Sequence, residues 1–323
     1  MRNSVDRVRS SAFSYIHDSA ITEGVYNAFK SASLVASSRR PVGTNVFDRE
    51  WDLLVVLDAC RYDALSFIAD EYPFLGSIQP MWSVGSATRE WAANTYTADR
   101  ISELNRTALI ASTGSGQWAL QSDRPELFGH PLERFCKWDM ADQDDFYFID
   151  DAWKHIHDDP HTGLTRPETV TERAIHYGRE LDADRFIVWY KQPHAPYTAR
   201  AIRDGREPFK YERRPWEALL GGADRRSILG AYLDELRYGL DSVKLLLENF
   251  DGEKAAITSD HGETFGEWGM YSHPVGMPLP ALRRVPWATT TARDTEEVEP
   301  TVKDIAQVPD RGIEDQLEKL GYI

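Results

Sequence analysis

The chain has 323 residues, of which 41% are hydrophobic and 11% aromatic, enough for one large domain with a sizeable core. Its formal net charge is −15, from 52 acidic and 37 basic residues, and a surface of this sign repels nucleic acid, so no nucleic-acid partner is expected. Only 9 of the basic residues are Lys, and this acid-rich, Lys-poor composition resembles that of proteins from salt-loving organisms.

The cysteines and the hydropathy pattern argue against several further classes. Cys60 and Cys136 have neither the spacing of a disulfide framework nor that of a cysteine zinc site. No stretch approaches 18 uninterrupted apolar residues, and the first residues lack the short apolar run and cleavage site of a secretory signal. We therefore expect a cytoplasmic protein without a transmembrane segment.

Residues 1–45 are predicted to form a helical extension before the main domain, residues 46–323. Short apolar groups alternate there with charged and hydroxyl side chains, as expected for one or two amphipathic helices. Packing on the main domain is the favoured role of this extension. Peripheral contact with a membrane surface through residues 1–45 is the alternative.

Three apolar runs in the main domain predict buried strands, at residues 53–57, 186–190 and 255–258. Runs that are apolar on both faces are typical of the central strands of a parallel sheet covered by helices. Residues 228–250 carry apolar side chains at helical spacing just before the third run. This alternation predicts an α/β fold, a three-layer sandwich with a mostly parallel central sheet.

Polar side chains follow each of the three predicted strands. Asp58 ends the first, Lys191 and His194 follow the second, and Asp260 and His261 follow the third. In open α/β sheets, ligands bind beyond the carboxyl ends of the strands. Carboxylate and imidazole ligands suit zinc, manganese or magnesium. A helix-capping Asp beside a structural His would explain the Asp-His pair alone, but a second strand that ends in Asp favours a metal site.

Four segments resemble motifs of the alkaline-phosphatase/sulfatase superfamily, and they occur in the family's order. Thr-Ser-Asp-His-Gly-Glu-Thr-Phe-Gly-Glu (residues 258–267) resembles the late metal motif of the sulfatases, and Arg-Val-Pro-Trp (residues 284–287) resembles the strand that follows it. Val-Val-Leu-Asp-Ala-Cys-Arg-Tyr-Asp (residues 55–63) resembles the first metal strand, notably in the phosphonate monoester hydrolase branch. Gln-Pro-His-Ala-Pro-Tyr (residues 192–197) resembles the middle substrate loop.

This resemblance implies an alkaline-phosphatase-like sandwich in which Asp58, Asp260 and His261 hold one divalent metal ion (Mn, Zn, Mg or Ca). His194 would then contact the charged head of the substrate or assist the leaving group, and Lys191 would pair with a non-bridging oxygen. The implied substrate is an anionic ester, either a small molecule or one linked to a glycan or lipid.

The nucleophile of this family lies between the first two matched strands, which indicates residues 83–91. We prefer Ser86 and place Thr88 second, because a hydroxyl at a helix amino terminus lies where free N–H groups favour an oxyanion. A cation would have to lower the hydroxyl pKa for either to attack. Alternatively, both hydroxyls only cap the helix.

The sequence also departs from the family pattern. The sulfatase motif Cys-x-Pro-Ser-Arg is absent, which favours phosphoester over sulfate chemistry. Ala59 and Gln192 stand where two-metal relatives carry acids, which argues for one metal. A His often found after the late motif is Trp268 here, so His273 is the candidate substrate contact or ligand, with a surface role as the alternative.

Two further groups have open interpretations. Arg61 could hold a substrate oxygen through its planar guanidinium, or it could form a structural turn with Asp63. His155, His157 and His161 lie in an Asp-rich loop that could bind a second metal, although a solvated charged loop is the default.

The hypothesis from sequence is a metal-dependent hydrolase or transferase that acts on phosphate monoesters or diesters through a Ser or Thr nucleophile. Two alternatives stay open. One is a sulfatase or a phosphoethanolamine-type transferase. The other is an inactive relative that binds an anionic glycan or a lipid head group.

Overall fold

The computed structural model describes residues 20–114, 135–155 and 164–302. His157 and His161, proposed above as part of a second metal loop, lie outside these residues. Seven strands form the central sheet, in the chain order β1 Leu53–Leu57, β2 Ile78–Trp82, β3 Thr107–Ala111, β4 Phe148–Asp151, β5 Arg185–Tyr190, β6 Gly252–Thr258 and β9 Arg284–Ala292. Two short strands form a separate hairpin, β7 Thr264–Phe265 and β8 Tyr271–Ser272.

The helices connect and cover these strands. Along the chain they are α1 Ala20–Ser37, α2 Tyr62–Phe67, α3 Thr88–Thr95, α4 Ile101–Leu104, α5 Ala152–His155, α6 Pro167–Glu180, α7 Ala199–Asp204, α8 Lys210–Arg213, α9 Pro215–Leu220, α10 Arg225–Glu248 and α11 Pro280–Arg283. Several single turns of 3-10 helix lie between them. Residues 198–227 contain the three short helices α7, α8 and α9 and the start of α10.

The sheet order is β2-β9-β6-β1-β5-β3-β4. β1 pairs in parallel with both β5 and β6, and β3 pairs in parallel with β5 and β4. β9 is antiparallel to its two neighbours, β6 and β2. The predicted mostly parallel α/β sheet is confirmed, and the three predicted strands are its central members.

Strand β1 shows why its sequence is apolar at every position. Leu53, Val55 and Leu57 join the core cluster that contains residues of α6 and α10, whereas Leu54 and Val56 join the cluster on the opposite face, which contains residues of α3. Both faces of the strand are therefore covered, which produces the three layers.

Helix α10 has its amino terminus at the same edge of the sheet as the polar strand ends, as its connection to β6 shows. It begins at Arg225, after an N-cap at Asp224 whose carboxylate accepts a hydrogen bond from the Ser227 N–H, and it ends at Glu248. Strand β6 starts only four residues later. Because α10 packs on the sheet and leads directly into the amino end of β6, its own amino terminus lies at the carboxyl edge of the sheet.

The amino-terminal extension contains α1, which packs on the rest of the protein. Tyr26 forms a small core cluster with Met277 and Leu282, and the Asn94 side-chain amide donates to Ser37 Oγ over 2.9 Å. The domain boundary at residues 45 and 46 stays a prediction. Among the described helices, none is both long enough and apolar enough to cross a lipid bilayer.

A buried ion pair fastens the edge strand β4 to α6. Arg173 donates to both carboxylate oxygens of Asp150 at 2.5 Å, and the two side chains are 6% and 3% exposed. We predict that Arg173→Ala lowers the free energy of unfolding by about 3–5 kcal/mol, because it leaves a buried carboxylate without its cation.

Urea denaturation would measure this effect. Arg106→Ala serves as the matched control, since Arg106 and Asp184 form a solvent-exposed pair whose loss costs less than about 1 kcal/mol. Equal losses in the two variants would contradict the prediction.

Candidate functional site

Asp58 lies at the carboxyl end of β1 and is 1% exposed. Its backbone N–H donates to the Tyr190 carbonyl on β5 at 3.0 Å. The next residue, Ala59, has a left-handed backbone (φ 61°), which a residue with a Cβ seldom adopts. Tyr232 holds this turn by donating its hydroxyl to the Ala59 carbonyl at 2.9 Å. The turn after β1 is thus fixed by α10.

Asp260 and His261 follow β6, the neighbour of β1, and are completely buried. Asp260 Oδ1 accepts hydrogen bonds from the Ala59 N–H at 3.2 Å and the His261 N–H at 2.8 Å. His261 Nε2 lies 3.3 Å from Asp260 Oδ2 and 3.6 Å from Asp58 Oδ1. One ligand atom from each of the three residues lies within 4.8 Å of the other two. The structure therefore brings the three candidate metal ligands together.

The unsatisfied atoms of this cluster fit a cation. Both Asp58 oxygens and Asp260 Oδ2 are buried without a hydrogen-bond partner among the described residues. Burial and the neighbouring Asp260 carboxylate raise the pKa of Asp58 well above its usual range. Buried carboxylates are normally paired or coordinate a metal. Two acids and one imidazole supply the ligand types that divalent metals bind.

His261 is oriented so that one ring nitrogen faces this cluster. Its Nδ1 lies 2.7 Å from the Gly262 carbonyl, which assigns the proton to Nδ1 and leaves the Nε2 lone pair directed at the two carboxylates. Burial lowers the pKa of His261 and so favours the neutral ring. A backbone partner on the other ring nitrogen is the usual arrangement for a metal-binding histidine.

Of the two candidate nucleophiles, Thr88 contacts the cluster. Thr88 is the first residue of α3, and its Oγ1 lies 3.1 Å from His261 Nε2. The Ser86 hydroxyl lies instead 2.8 Å from Glu90 Oε2 and 3.0 Å from the Pro274 carbonyl, and it accepts a hydrogen bond from the Met277 N–H at 3.1 Å. The geometry thus favours Thr88 over Ser86, which the sequence had ranked first.

Glu90 holds the loop that carries these hydroxyls through hydrogen bonds, and it was not among the predicted site residues. It is completely buried and accepts hydrogen bonds from Arg283 Nη2 at 2.6 Å and from the N–H groups of Ser86 and Gly276 at 3.0 Å. The available signal was its place in the first turn of α3, where an acid is favoured. Its partners Gly276 and Arg283 lie far away in the chain, so these contacts could not be inferred from local sequence.

A second group of candidate ligands lies beside the first. His194, Glu263 and His273 offer ligand atoms within 4.8 Å of one another, and His273 Nδ1 is 3.2 Å from Glu263 Oε2. The His273 ring lies 4.5 Å from the His261 ring and 4.9 Å from the His194 ring, measured between centroids. His273 is therefore part of the site and not a surface residue. Glu263 belongs to the late motif but was not predicted to be a site residue.

Lys191 supplies a cation at the edge of this second group. Its Nζ contacts His194 Nδ1 and donates to the Ala195 carbonyl at 3.0 Å. Burial lowers the pKa of Lys191 to about 8 and that of His273 to about 4, and it raises the pKa of Glu263 to about 8. The second group therefore forms a polar wall of low net charge next to the two acids.

Arg61 is bonded to protein oxygens beside the second group. Its guanidinium donates to both Asp63 oxygens at 2.8 and 2.6 Å, to Glu267 Oε1 at 2.7 Å and to the Glu263 carbonyl at 3.0 Å. Nε, Nη1 and Nη2 are all engaged with protein oxygens. These contacts favour the structural alternative for Arg61, in which it ties the start of α2 to the β7–β8 hairpin.

Comparisons with known proteins give similarity in structure but not in sequence. No protein-family model and no curated protein matches the chain. Solved structures similar to it are members of the alkaline-phosphatase/sulfatase superfamily. The integral membrane lipooligosaccharide phosphoethanolamine transferase A of Neisseria meningitidis has a TM-score of 0.46 at 15% identity, over 80% of this chain and 50% of that one, so this chain spans half of its length.

Two further structures have comparable scores. The phosphonate monoester hydrolase of Agrobacterium radiobacter has a TM-score of 0.43 at 14% identity, over 73% of this chain and 67% of that one. A protein of the alkaline phosphatase superfamily from Vibrio parahaemolyticus has a TM-score of 0.39 at 12% identity, over 85% and 70%.

Because the Asp58 carboxylate is buried without a hydrogen-bond partner among the described residues, removing it should make the metal-free protein more stable. In metal-free buffer, Asp58→Asn should raise the free energy of unfolding by about 1–3 kcal/mol, because it removes a buried acid next to Asp260. Thermal unfolding in the presence of a chelator measures this change. Asp182→Asn, at an exposed position, changes the net charge equally and serves as the control. A lower stability for Asp58→Asn than for the unchanged protein would contradict the prediction.

Proposed function

We propose that this protein is a metal-dependent enzyme that cleaves or transfers phosphate esters, with Thr88 as the nucleophile. The observation that carries the proposal is the position of Thr88 Oγ1, 3.1 Å from His261 Nε2 and beside two buried, unpartnered carboxylates. Thr88 thus shares a buried pocket with three candidate metal ligands. A nucleophilic hydroxyl needs an activating group within contact distance.

Asp58, Asp260 and His261 would hold the divalent ion. When bound, the ion would supply positive charge that lowers the pKa of a nearby hydroxyl and neutralises phosphate oxygens. The chain itself supplies the positioning. Thr88 is fixed at the amino terminus of α3, whose N–H groups and positive dipole end favour an anionic ester at that position.

The remaining residues would bind the substrate and stabilise the charge on its oxygens. Thr88 Oγ would lose its proton to water and form a bond to phosphorus while the bond from phosphorus to the departing oxygen breaks. The departing oxygen would take up a proton from water, which leaves a free alcohol and a phosphorylated threonine. His194 and His273 face the charge that develops on the departing oxygen, and Lys191 pairs with a non-bridging oxygen. Water then releases the phosphoryl group, or an acceptor alcohol takes it, which would make the enzyme a transferase.

Phosphate is preferred over sulfate as the transferred group because we assign the nucleophile to Thr88. A formylglycine enzyme needs a cysteine there, and Cys60 is instead buried in the core cluster beneath the sheet. The substrate class we propose is a phosphate monoester or diester, either free or linked to a glycan or lipid. The competing function is a non-catalytic protein that binds metal and an anionic head group.

The nucleophile assignment predicts opposite results for two neighbouring hydroxyls. Thr88→Ala should lower kcat on bis-nitrophenyl phosphate with manganese by at least about a thousandfold, whereas Thr88→Ser keeps a hydroxyl and retains measurable turnover. Ser86→Ala should stay within about tenfold in kcat and lose about 1–3 kcal/mol of stability, because its hydroxyl bonds only to the scaffold. Intact-mass analysis during turnover should detect a phosphoryl group on the unchanged protein.

Two outcomes would redirect the assignment. A folded but inactive Ser86→Ala variant beside an active Thr88→Ala variant would move the nucleophile to Ser86. Tight metal binding without turnover of any phosphate or sulfate ester would favour the binding protein.

Metal content tests the proposal of a single ion. We expect about one manganese per chain in equilibrium dialysis, lost in Asp260→Ala because that variant removes one of only three ligands. His273→Ala should retain the ion, since it belongs to the second group. Two ions per chain, with one lost in His273→Ala, would show that His194, Glu263 and His273 bind metal too.

A further inference from the structure

The turn that follows β1 has an unfavourable backbone. Ala59 lies in the left-handed region at φ 61°, where a Cβ comes too close to the following carbonyl oxygen. Such a conformation persists only where the surrounding structure holds it, and it is most often found at functional sites. The contacts made by residues 58–61 therefore show what keeps the turn in place.

The hydroxyl of Tyr232, on α10, closes this turn. It donates to the Ala59 carbonyl at 2.9 Å and accepts a hydrogen bond from the Arg61 N–H at 3.0 Å. These two partners lie on either side of Cys60, so a single oxygen bonds to both ends of a three-residue stretch. Because Tyr232 is only 1% exposed, loss of its hydroxyl would leave the buried Ala59 carbonyl without this donor.

The N–H groups of the same turn bond to the segment that carries the late metal motif. The Ala59 N–H donates to Asp260 Oδ1 at 3.2 Å, and the Cys60 N–H donates to Ser259 Oγ at 2.9 Å. Asp58 immediately precedes these two residues. A rotation of the backbone at Ala59 would therefore move one acid of the site relative to the other.

The ring of Tyr232 contacts the two other segments that border the site. Its centroid lies 5.9 Å from that of Tyr197, three residues after His194, and 5.2 Å from that of Phe265 on β7. Both pairs are edge-to-face, an arrangement that stabilises aromatic rings in contact. One side chain of α10 thus touches the segments that follow β1, β5 and β6.

We propose that Tyr232 is a positioning residue for the metal site. Its hydroxyl holds Ala59 in the left-handed conformation, and this conformation keeps Asp58 and Asp260 at the separation that one ion bridges. Tyr232 belongs to neither group of candidate ligands, so it acts through the turn that it closes. The inference rests on the metal site of the proposed function and identifies a determinant of its affinity, as partners of metal ligands commonly are.

A role in core packing alone would also bury this ring, so the test must isolate the hydroxyl. Tyr232→Phe keeps the ring and removes only the oxygen. Tyr190→Phe is the matched control, because Tyr190 is completely buried and its hydroxyl lies 2.7 Å from Thr171 Oγ1 on α6. Each variant breaks hydrogen bonds in the core, but only the Tyr232 hydroxyl bonds to the turn after β1.

The first measurement is the manganese affinity of the full chain in equilibrium dialysis. Tyr232→Phe should raise Kd at least about tenfold, because the turn no longer holds the two acids in place. Tyr190→Phe should leave Kd within about twofold, since its hydroxyl bonds to Thr171 instead.

A double-mutant cycle with Ala59→Gly separates positioning from packing. Glycine adopts the left-handed conformation without a Cβ clash, so the hydroxyl has less to hold in that background. There, Tyr232→Phe should raise the manganese Kd by less than about threefold. A hydroxyl that serves only the packing of the core would have the same effect in both backgrounds.

The second measurement needs no metal. In a Cys136→Ser background, Cys60 is the only thiol of the chain, and it is completely buried within the turn. Its alkylation by iodoacetamide in the presence of a chelator therefore reports local opening of the turn. Tyr232→Phe should accelerate this reaction at least about tenfold, whereas Tyr190→Phe should leave its rate within about twofold.

Two results would overturn the proposal. One is equal manganese affinity in Tyr232→Phe and the unchanged protein, and the other is an equal effect of Tyr232→Phe with Ala59 and with glycine at that position. Failure of the unchanged protein to bind manganese would instead remove the metal site of the proposed function. In that case the alkylation rate of Cys60 decides by itself whether Tyr232 holds the turn, and equal rates would reject it.

Discussion

Two acidic side chains at the ends of adjacent strands set the central constraint of this structure. Asp58 follows β1 and Asp260 follows β6, and the parallel pairing of these strands brings the two carboxylates together in a buried position. Desolvation and mutual repulsion both oppose such an arrangement, so it requires a compensating cation or proton. The Ala59 N–H, the Ser259 hydroxyl and the His261 N–H engage Oδ1 of Asp260. Oδ2 has no hydrogen-bond partner among the described residues and lies 3.3 Å from His261 Nε2.

Around these acids, two hydroxyl groups that are close in sequence have different partners. Ser86 and Thr88 lie two residues apart, yet one hydroxyl bonds to Glu90 and the other faces His261. The buried Glu90–Arg283 pair joins α3 to α11, and Glu90 also accepts the N–H groups of Ser86 and Gly276. Breaking such a pair would leave a buried charge, so this support resists rearrangement. A rigid framework is what a hydroxyl needs in order to be held near its target.

The predictable part of the molecule is the part where local sequence and tertiary position agree. β1, β5 and β6 were identified because central parallel strands are apolar on both faces, and their polar ends followed from the same reasoning. The edge strand β2 includes the exposed Pro80 and carries no such signal. Gly262 lies where the backbone of another segment approaches closely, since a Cβ there would lie 2.1 Å from the Ala281 carbonyl oxygen, and no local pattern indicates this contact. The contact of Thr88 with His261 and that of Arg61 with Glu267 join residues far apart in the chain, and no local pattern specifies them.

The antiparallel direction of β9 has a consequence for how such a site can change. Because β6 ends and β9 begins at the same edge of the sheet, the chain from residue 259 to residue 283 never has to cross to the other side. Everything between the two strands, from the Asp-His pair to the hairpin and α11, is a single excursion above one edge. Such an excursion can lengthen, shorten or exchange side chains without shifting the register of any strand. Divergence in specificity can therefore be confined to one continuous stretch of sequence while the sheet beneath it stays the same.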